Sequence, residues 1–80
     1  MKIPERMMPA IRRYIDDHVQ PGNFLTAVID NNLKEACCRA DDENLENLLA
    51  FVLYFYNEAP ERCWGSLEKR IAWCALRKEI

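Results

Sequence analysis

The side chains that could carry out nucleophilic chemistry are few in this sequence. It contains one serine, Ser66, one threonine, and one histidine, His18. Catalysis by a hydroxyl requires a Ser or Thr beside a base that a third group orients. Ser66, His18 and Asp17 could supply such a triad, but Ser66 stands where a helix N-cap is expected, and His18 lies on the apolar face of the first helical pattern. We therefore predict no catalytic residues and a protein that is not an enzyme.

The four cysteines do not have the spacing of a metal site. Cys37 and Cys38 are adjacent, and Cys63 and Cys74 lie eleven positions apart, whereas structural zinc sites use Cys pairs two to four positions apart. We expect no metal and no cofactor. A helical rotation of 100° per residue places Cys37 beside the apolar stripe and Cys38 on the polar side, so Cys38 is predicted to be the accessible thiol. A small thiol- or metal-dependent enzyme that uses His18 and Cys38 stays as an alternative.

The charge balance argues against a dedicated nucleic-acid-binding protein. Thirteen acidic residues face 11 basic ones, for a net charge of −2, and nucleic-acid binders draw most of their affinity from excess Lys and Arg. The alternative is a nucleic-acid-associated regulator that uses basic residues of the first and last helices. Those residues are Arg12, Arg13, Lys69, Arg70, Arg77 and Lys78.

Length and hydropathy indicate one globular domain. The chain has 80 residues, half of them apolar, which is enough for a single core. The N-terminal segment has no apolar run long enough for a signal peptide. The longest apolar run, residues 48–56, spans nine residues, and a membrane helix needs about 20. We predict a protein of the cytoplasm with no membrane segment.

Proline, glycine and capping residues divide the chain into four amphipathic helices, at about residues 9–18, 24–38, 42–58 and 67–78. We find no alternating pattern typical of β-strands. Asp41 and Ser66 are predicted N-caps, and the third helix is expected to be the most enclosed because apolar residues cover most of its circumference. The predicted fold is a compact all-α domain of four helices with short loops, in which consecutive helices are roughly antiparallel.

The last helix carries two apolar faces, and a helix at the edge of a small domain buries one face more easily than two. Leu67, Ile71, Cys74 and Ala75 share one face, and Trp73, Leu76 and Ile80 lie roughly opposite. Aromatic side chains are enriched in binding hot spots. The predicted partner-binding residues are Phe51, Tyr54, Trp64, Trp73, Leu76 and Ile80. The alternative is that the segment around Trp64 folds over Trp73 and forms a satellite core.

Several segments together resemble a family of small phage- and prophage-encoded proteins. They are residues 21–28, 32–33, 39–44, 56–60 and 63–66, which read PGNFLTAV, NL, RADDEN, YNEAP and CWGS. The resemblance implies a bacterial host cell and supplies no active site. Together with the surplus aromatic surface, it favours a non-enzymatic interaction module. Its partner would be a host or phage protein, for example a host-defence protein that it inhibits, or a second copy of itself.

Overall fold

The computed structural model describes residues 1–77, and within them the chain is entirely helical apart from turns and loops. The all-α prediction is confirmed. Lys78, Glu79 and Ile80 lie outside the described residues. Six α-helices follow one another: α1 (Met8–Asp17), α2 (Asn23–Ile29), α3 (Leu33–Arg39), α4 (Asp42–Glu46), α5 (Leu48–Asn57) and α6 (Leu67–Cys74). Two single 3-10 turns, Glu5–Met7 and Glu61–Cys63, precede α1 and α6.

Helix α1 agrees closely with the prediction. Pro9 lies in its first turn, where a missing backbone N–H costs no intrahelical hydrogen bond. The 3-10 turn Glu5–Met7 precedes it. The helix ends at His18, which adopts the left-handed conformation with φ 60°. Its backbone N–H donates to the carbonyl oxygen of Tyr14 and thereby closes the last turn.

The prediction of one continuous second helix is wrong, because this segment forms two helices, α2 and α3. Asn31 takes a left-handed conformation with φ 59°, and the side chain of Asn32 accepts a hydrogen bond from the backbone N–H of Glu35 at 3.2 Å. Asparagine tolerates left-handed geometry and competes with the helix for backbone hydrogen bonds. Two consecutive asparagines therefore end one helix and cap the next.

The third predicted helix is also broken, at Asn47, into α4 and α5. Asp41 caps α4 as predicted, accepting from the backbone N–H of Asn44 at 2.8 Å. The Asn47 side chain donates to the carbonyl oxygen of Glu43 at 2.9 Å, and its backbone leaves helical geometry with ψ 17°. Helix α5 ends at Asn57, shortly before Pro60, which cannot continue a helix.

Helix α6 begins where the sequence predicts and ends earlier. The Ser66 hydroxyl accepts from the backbone N–H of Lys69 at 3.1 Å, which confirms the predicted N-cap. The helix ends at Cys74 rather than near Lys78. The backbone N–H of Gly65, just before the helix, donates to the carbonyl oxygen of Ile29 at 2.7 Å. This hydrogen bond attaches the start of α6 to the core. Gly65 has φ 110°, which a residue with a side chain adopts only with strain.

One hydrophobic core lies between α1, α2 and α5. Tyr14, Phe51 and Phe55 are fully buried at its centre, with the rings of Phe24 and Phe51 packed edge to face at 5.0 Å. The other buried apolar residues are Ile11, Leu25, Ala27, Val28, Ile29, Ala36 and Cys63. The architecture thus comprises five helices of seven or more residues and one short helix in residues 1–77, rather than four helices.

Candidate protein-binding surface

Helices α4 and α5 carry a row of exposed apolar side chains, which we call the α5 strip: Leu45, Leu49, Val52, Leu53 and Tyr56. Their exposed fractions range from 37% for Val52 to 73% for Tyr56. Isolated exposed apolar residues are normal on a protein surface, whereas a cluster of them is a candidate interaction site. Leu49, Val52, Leu53 and Tyr56 share one side of α5, and Leu45 precedes them on α4. The α5 strip is therefore the candidate site.

The composition of α5 is apolar on every side, and one of its faces is exposed to solvent. The helix has ten residues and none of them is charged. Phe51 and Phe55 face the core and are fully buried. At 100° per residue, Leu53 lies opposite the midpoint of these two rings, Leu49 and Tyr56 lie beside it, and Val52 lies at the edge of the exposed face. The expectation that this would be the most enclosed helix is wrong, because a helix that packs on one side of a small core buries only one face.

Further residues border the strip at its middle and at its two ends. Leu33, which is 69% exposed, lies with Leu48 and Val52 around a small apolar depression. Asp42 and Glu46 are exposed on α4, on the same short helix as Leu45. At the other end, Lys69 lines a shallow groove together with Tyr56, Glu61, Trp64 and Gly65. One end of the strip therefore lies near acidic side chains, and the other lies beside one lysine and one glutamate.

Three of the aromatic residues predicted to bind a partner contribute instead to the packing of the domain. Phe51 has no exposed surface, so it offers nothing to a partner in this structure. Tyr54 is half-buried, and its ring packs against Phe55 at 5.8 Å. Trp64 is also half-buried, with its ring centre 6.1 Å from that of Phe55. The aromatic pattern could not separate core from surface, because both use large rings at helical spacing.

Trp73 is directed inward, towards α1. Its indole N–H donates to the carbonyl oxygen of Tyr14 at 2.8 Å, and its ring lies 4.4 Å from the ring of His18. The two faces of α6 are thus partly exchanged relative to the sequence analysis. Leu67 and Ile71, assigned to the inner face, are 46% and 56% exposed, and Leu76 beyond the helix end is 49% exposed. Ile80, the last predicted partner-binding residue, lies outside the described residues.

The side chains considered for catalysis have structural contacts. Nδ1 of His18 lies 2.9 Å from the carbonyl oxygen of Trp73, a geometry in which the ring N–H donates. The Ser66 hydroxyl is engaged as the cap of α6. Within residues 1–77, no three His, Cys, Asp or Glu side chains are grouped closely enough to hold a metal ion.

The cysteines fall into two classes of environment. Cys38 is exposed, and so is Cys37, which the sequence analysis placed beside the core. The break between α2 and α3 changes the phase of the helix and turns Cys37 outward. Cys63 is fully buried, and burial raises the pKa of its thiol to about 11. Burial also raises the pKa of the Cys74 thiol.

Some of the basic residues considered for nucleic-acid binding are engaged within the protein. Nε of Arg70 lies 2.6 Å from the Asp30 carboxylate, and both side chains are largely buried. Arg70 also donates to the side chain of Gln20 at 3.1 Å. Hydrogen bonding to Asp30 raises the pKa of the Arg70 guanidinium. Because Arg70 already has an acidic partner, it contributes little attraction for phosphate groups.

A second set of ion pairs joins the N-terminal turn to α4. Arg6 contacts Asp41 at 2.8 Å and Glu43 at 3.0 Å, and all three side chains are about half exposed. The hydrogen bond from the backbone N–H of Asn44, followed by that from Arg6, lowers the pKa of the Asp41 carboxyl. These exposed pairs contribute modestly to stability. They involve neither Asp42 nor Glu46, the other acidic side chains of α4.

None of the helices in residues 1–77 is long and apolar enough to cross a lipid bilayer. Comparison of the chain with models of protein families, with curated proteins and with solved structures finds no match.

The α5 strip was not singled out in the sequence analysis, although a signal for it was present. Residues 48–56 form the longest apolar run, and a helix of that composition is apolar on every side. A domain of this size has few helices available to cover such a helix on every side, and in the structure one of its faces is exposed.

Proposed function

We propose that the protein is a non-enzymatic interaction module that binds another protein through the α5 strip. The observation that carries this proposal is the row of five exposed apolar side chains on α4 and α5. Interfaces place apolar and aromatic side chains at their centre and polar side chains around them. Tyr56, the most exposed residue of the strip, is of a type enriched among binding hot spots.

The geometry of the strip favours a helical partner. Leu49, Val52 and Tyr56 are separated by three and four residues, which is the spacing that an amphipathic helix uses to pack against another helix. The resemblance to phage and prophage proteins supports a bacterial setting, in which a host or phage protein, or a second copy of the chain, would supply that helix.

A matched pair of charge substitutions tests the proposal. Leu49→Glu alters the α5 strip, whereas Leu76→Glu alters a predicted partner-binding residue that lies just beyond the end of α6. The two leucines are 52% and 49% exposed, so each variant is expected to keep the helical circular dichroism and thermal stability of the unmodified protein. The unmodified protein and both variants would be immobilised and exposed to a bacterial extract that also contains soluble, tagged copies of the chain.

We expect the unmodified protein and the Leu76→Glu variant to retain the same protein, and the Leu49→Glu variant to lose it. Equal retention by all three would contradict the proposal. If only the Leu76→Glu variant failed to retain the partner, the binding site would lie around Leu76 rather than on the α5 strip.

A further inference from the structure

We infer that residues 1–7 form a latch, which closes over α4 and the start of α5 and opens while the core stays folded. The latch consists of residues 1–4, which have no regular secondary structure, and the 3-10 turn Glu5–Met7. Its opening enlarges the apolar surface beside the α5 strip. The opening follows from the contacts of the latch, whereas its effect on a partner rests on the proposed function.

Solvent-exposed polar contacts hold the latch to α4 and to the residue that precedes α5. The Arg6 guanidinium contacts the carboxylates of Asp41 and Glu43, and all three side chains are about half exposed. The backbone N–H of Lys2 donates to Oδ1 of Asn47 at 3.2 Å. Water and salt screen exposed ion pairs, so these contacts hold the latch weakly, and more weakly still at high salt.

A buried amide lies against the latch and is incompletely hydrogen-bonded. Asn44 is 4% exposed, and its Nδ2 lies 3.8 Å from the sulfur of Met7, which is a weak acceptor. Its Oδ1 is buried and has no hydrogen-bond partner within residues 1–77. A buried polar atom without a partner costs free energy. Moving Met7 away would admit water to this amide, so opening relieves a cost of the closed state.

The first residues of the latch lie against α5. Met1 and Ile3 line one depression together with Ala50, Leu53 and Tyr54. Leu53 also belongs to the α5 strip, so the depression adjoins the strip. Ala50 and Tyr54 are half-buried while the latch is closed, and they gain exposure when it opens. Opening therefore extends the apolar surface from Leu53 towards these two residues.

Apolar contacts of the latch oppose its opening. Pro4 is buried, and the side chains of Ile3 and Met7 pack against the core. The open state is therefore the minor one, and weak interactions at its edge can change its population. The ion pairs of Arg6 lower that population, and the unpaired oxygen of Asn44 raises it.

The chain contains a matched turn that is not part of the latch. Residues 4–6 and 60–62 both read PER, and each proline precedes a 3-10 turn with nearly the same backbone angles. The N–H of Met7 donates to the Pro4 carbonyl oxygen at 2.9 Å, and that of Cys63 donates to the Pro60 carbonyl oxygen at 3.0 Å. Arg62 is therefore a matched control for Arg6.

Hydrogen exchange of single backbone amides, measured by NMR on the purified protein, tests the opening. We expect the Met7 amide to exchange roughly 100-fold faster than the amide of Phe55, because it needs only local opening. Equal protection of the two amides would mean that the latch opens only when the protein unfolds, and would overturn the inference. Exchange of Met7 at the rate of an unfolded chain would also overturn it, because the latch would then not close.

A pair of arginine substitutions tests the ion pairs. Arg6→Gln should raise the exchange rate of the Met7 amide by roughly threefold at low salt, whereas Arg62→Gln should leave it unchanged. Raising the salt concentration to about 1 M should accelerate this exchange in the unmodified protein but not in Arg6→Gln. The same Met7 rate in both variants, with no effect of salt, would overturn the inference.

Asn44→Leu tests the buried amide. This change replaces the amide group by two methyl groups on a side chain that branches at the same atom, so the closed state no longer contains an unpaired oxygen. We expect the exchange of the Met7 amide to slow by roughly fivefold. Faster exchange in a variant with unchanged helical circular dichroism would contradict this role of Asn44. If the variant does not fold, the arginine pair and the effect of salt decide.

The effect on binding is tested with the bacterial extract used for Leu49→Glu. Immobilised Arg6→Gln should retain more of the protein that the unmodified chain retains, and Arg62→Gln should retain the same amount. If the latch opens but Arg6→Gln changes nothing, its effect on the α5 strip is wrong. If Leu49→Glu retains as much as the unmodified chain, the proposed function fails, and the exchange of the Met7 amide still decides whether the latch opens.

Discussion

Tyr14 joins three parts of the molecule through one residue. Its side chain is fully buried, its hydroxyl donates to the carbonyl oxygen of Cys63 at 2.5 Å, and its own carbonyl oxygen accepts from the Trp73 indole. Helix α1 is thereby attached both to the turn before α6 and to α6 itself. The bond of the Tyr14 hydroxyl is buried, so losing it leaves the Cys63 carbonyl oxygen unpaired away from water.

We expect Tyr14→Phe to lower the free energy of unfolding by about 1–2 kcal/mol, because the ring stays in place and only the hydrogen bond to Cys63 is lost. Chemical denaturation measures this change. Tyr56→Phe removes the same hydroxyl from an exposed ring and should change stability by less than about 0.5 kcal/mol. Equal effects of the two substitutions would contradict the role of the Tyr14 hydroxyl.

The buried thiol of Cys63 should make the folded protein less stable at alkaline pH. Burial raises the pKa of its thiol from 9.0 to about 11, so the folded protein keeps this proton at pH values where the unfolded chain releases it. The contribution is fully present below pH 9 and is lost as the pH rises towards about 11. The pKa of the Tyr14 hydroxyl is also raised, mainly by burial, and has the same sign at higher pH.

Cys63→Ala should therefore reduce the fall in unfolding free energy between about pH 8 and about pH 10.5. Urea denaturation at both pH values measures this change in unfolding free energy. Cys38→Ala, at an exposed thiol, should leave the pH dependence unchanged. An unchanged pH dependence in the Cys63 variant would contradict the assignment.

At the scale of the elements, α6 is attached to the break between α2 and α3 by the ion pair of Arg70 with Asp30. The two side chains are 12% and 16% exposed, so solvent screens this pair less than a surface pair. By contrast, the pair of Arg39 with Glu35 lies within α3, and its side chains are 44% and 39% exposed.

We expect Asp30→Asn to destabilise the protein by about 2 kcal/mol, because it leaves the partly buried guanidinium of Arg70 without a charged partner. Glu35→Gln removes the exposed pair and should cost about 0.5 kcal/mol or less. Thermal unfolding of both variants, measured side by side, checks the difference. Equal shifts in midpoint temperature would show that burial does not strengthen the Asp30 pair.

The helix starts were predictable because their signals are local. Pro9, Asp41 and Ser66 act within one turn of their own position, and each lies at or beside the start of a helix in the structure. The breaks at Asn31 and Asn47 were missed because a hydrophobic pattern continues across them. An asparagine side chain ends a helix by competing for single backbone hydrogen bonds, and this leaves the surrounding apolar periodicity almost unchanged.

The candidate site was less predictable because which apolar face is buried depends on the whole packing arrangement. The sequence indicated surplus apolar surface and assigned it to the last helix. In the structure the indole of Trp73 turns towards α1, and the larger exposed row lies on α5. Both helices are apolar on two sides, and their local sequences contain no feature that selects one side.

At the scale of the whole molecule, a second copy of the chain as the partner of the α5 strip would couple stability to concentration. Anything that binds only the folded chain raises its midpoint of unfolding by mass action. With a second copy as the partner, the midpoint should rise by about 3–5 °C for each tenfold increase in protein concentration, given the unfolding entropy of a domain of this size. Scanning calorimetry at several concentrations measures it. The Leu49→Glu variant should show no such dependence, and a concentration-independent midpoint in the unmodified protein would contradict self-association.

The hydrogen bond between Gly65 and Ile29 has a consequence for the order of folding. Like the bonds of Tyr14 with Cys63 and Trp73, it joins residues that are far apart along the chain. Such contacts form only after a long loop has closed, which is entropically costly. We expect the helices before Pro60 to collapse first and α6 to dock last, and the same helix to be the first to detach in native fluctuations.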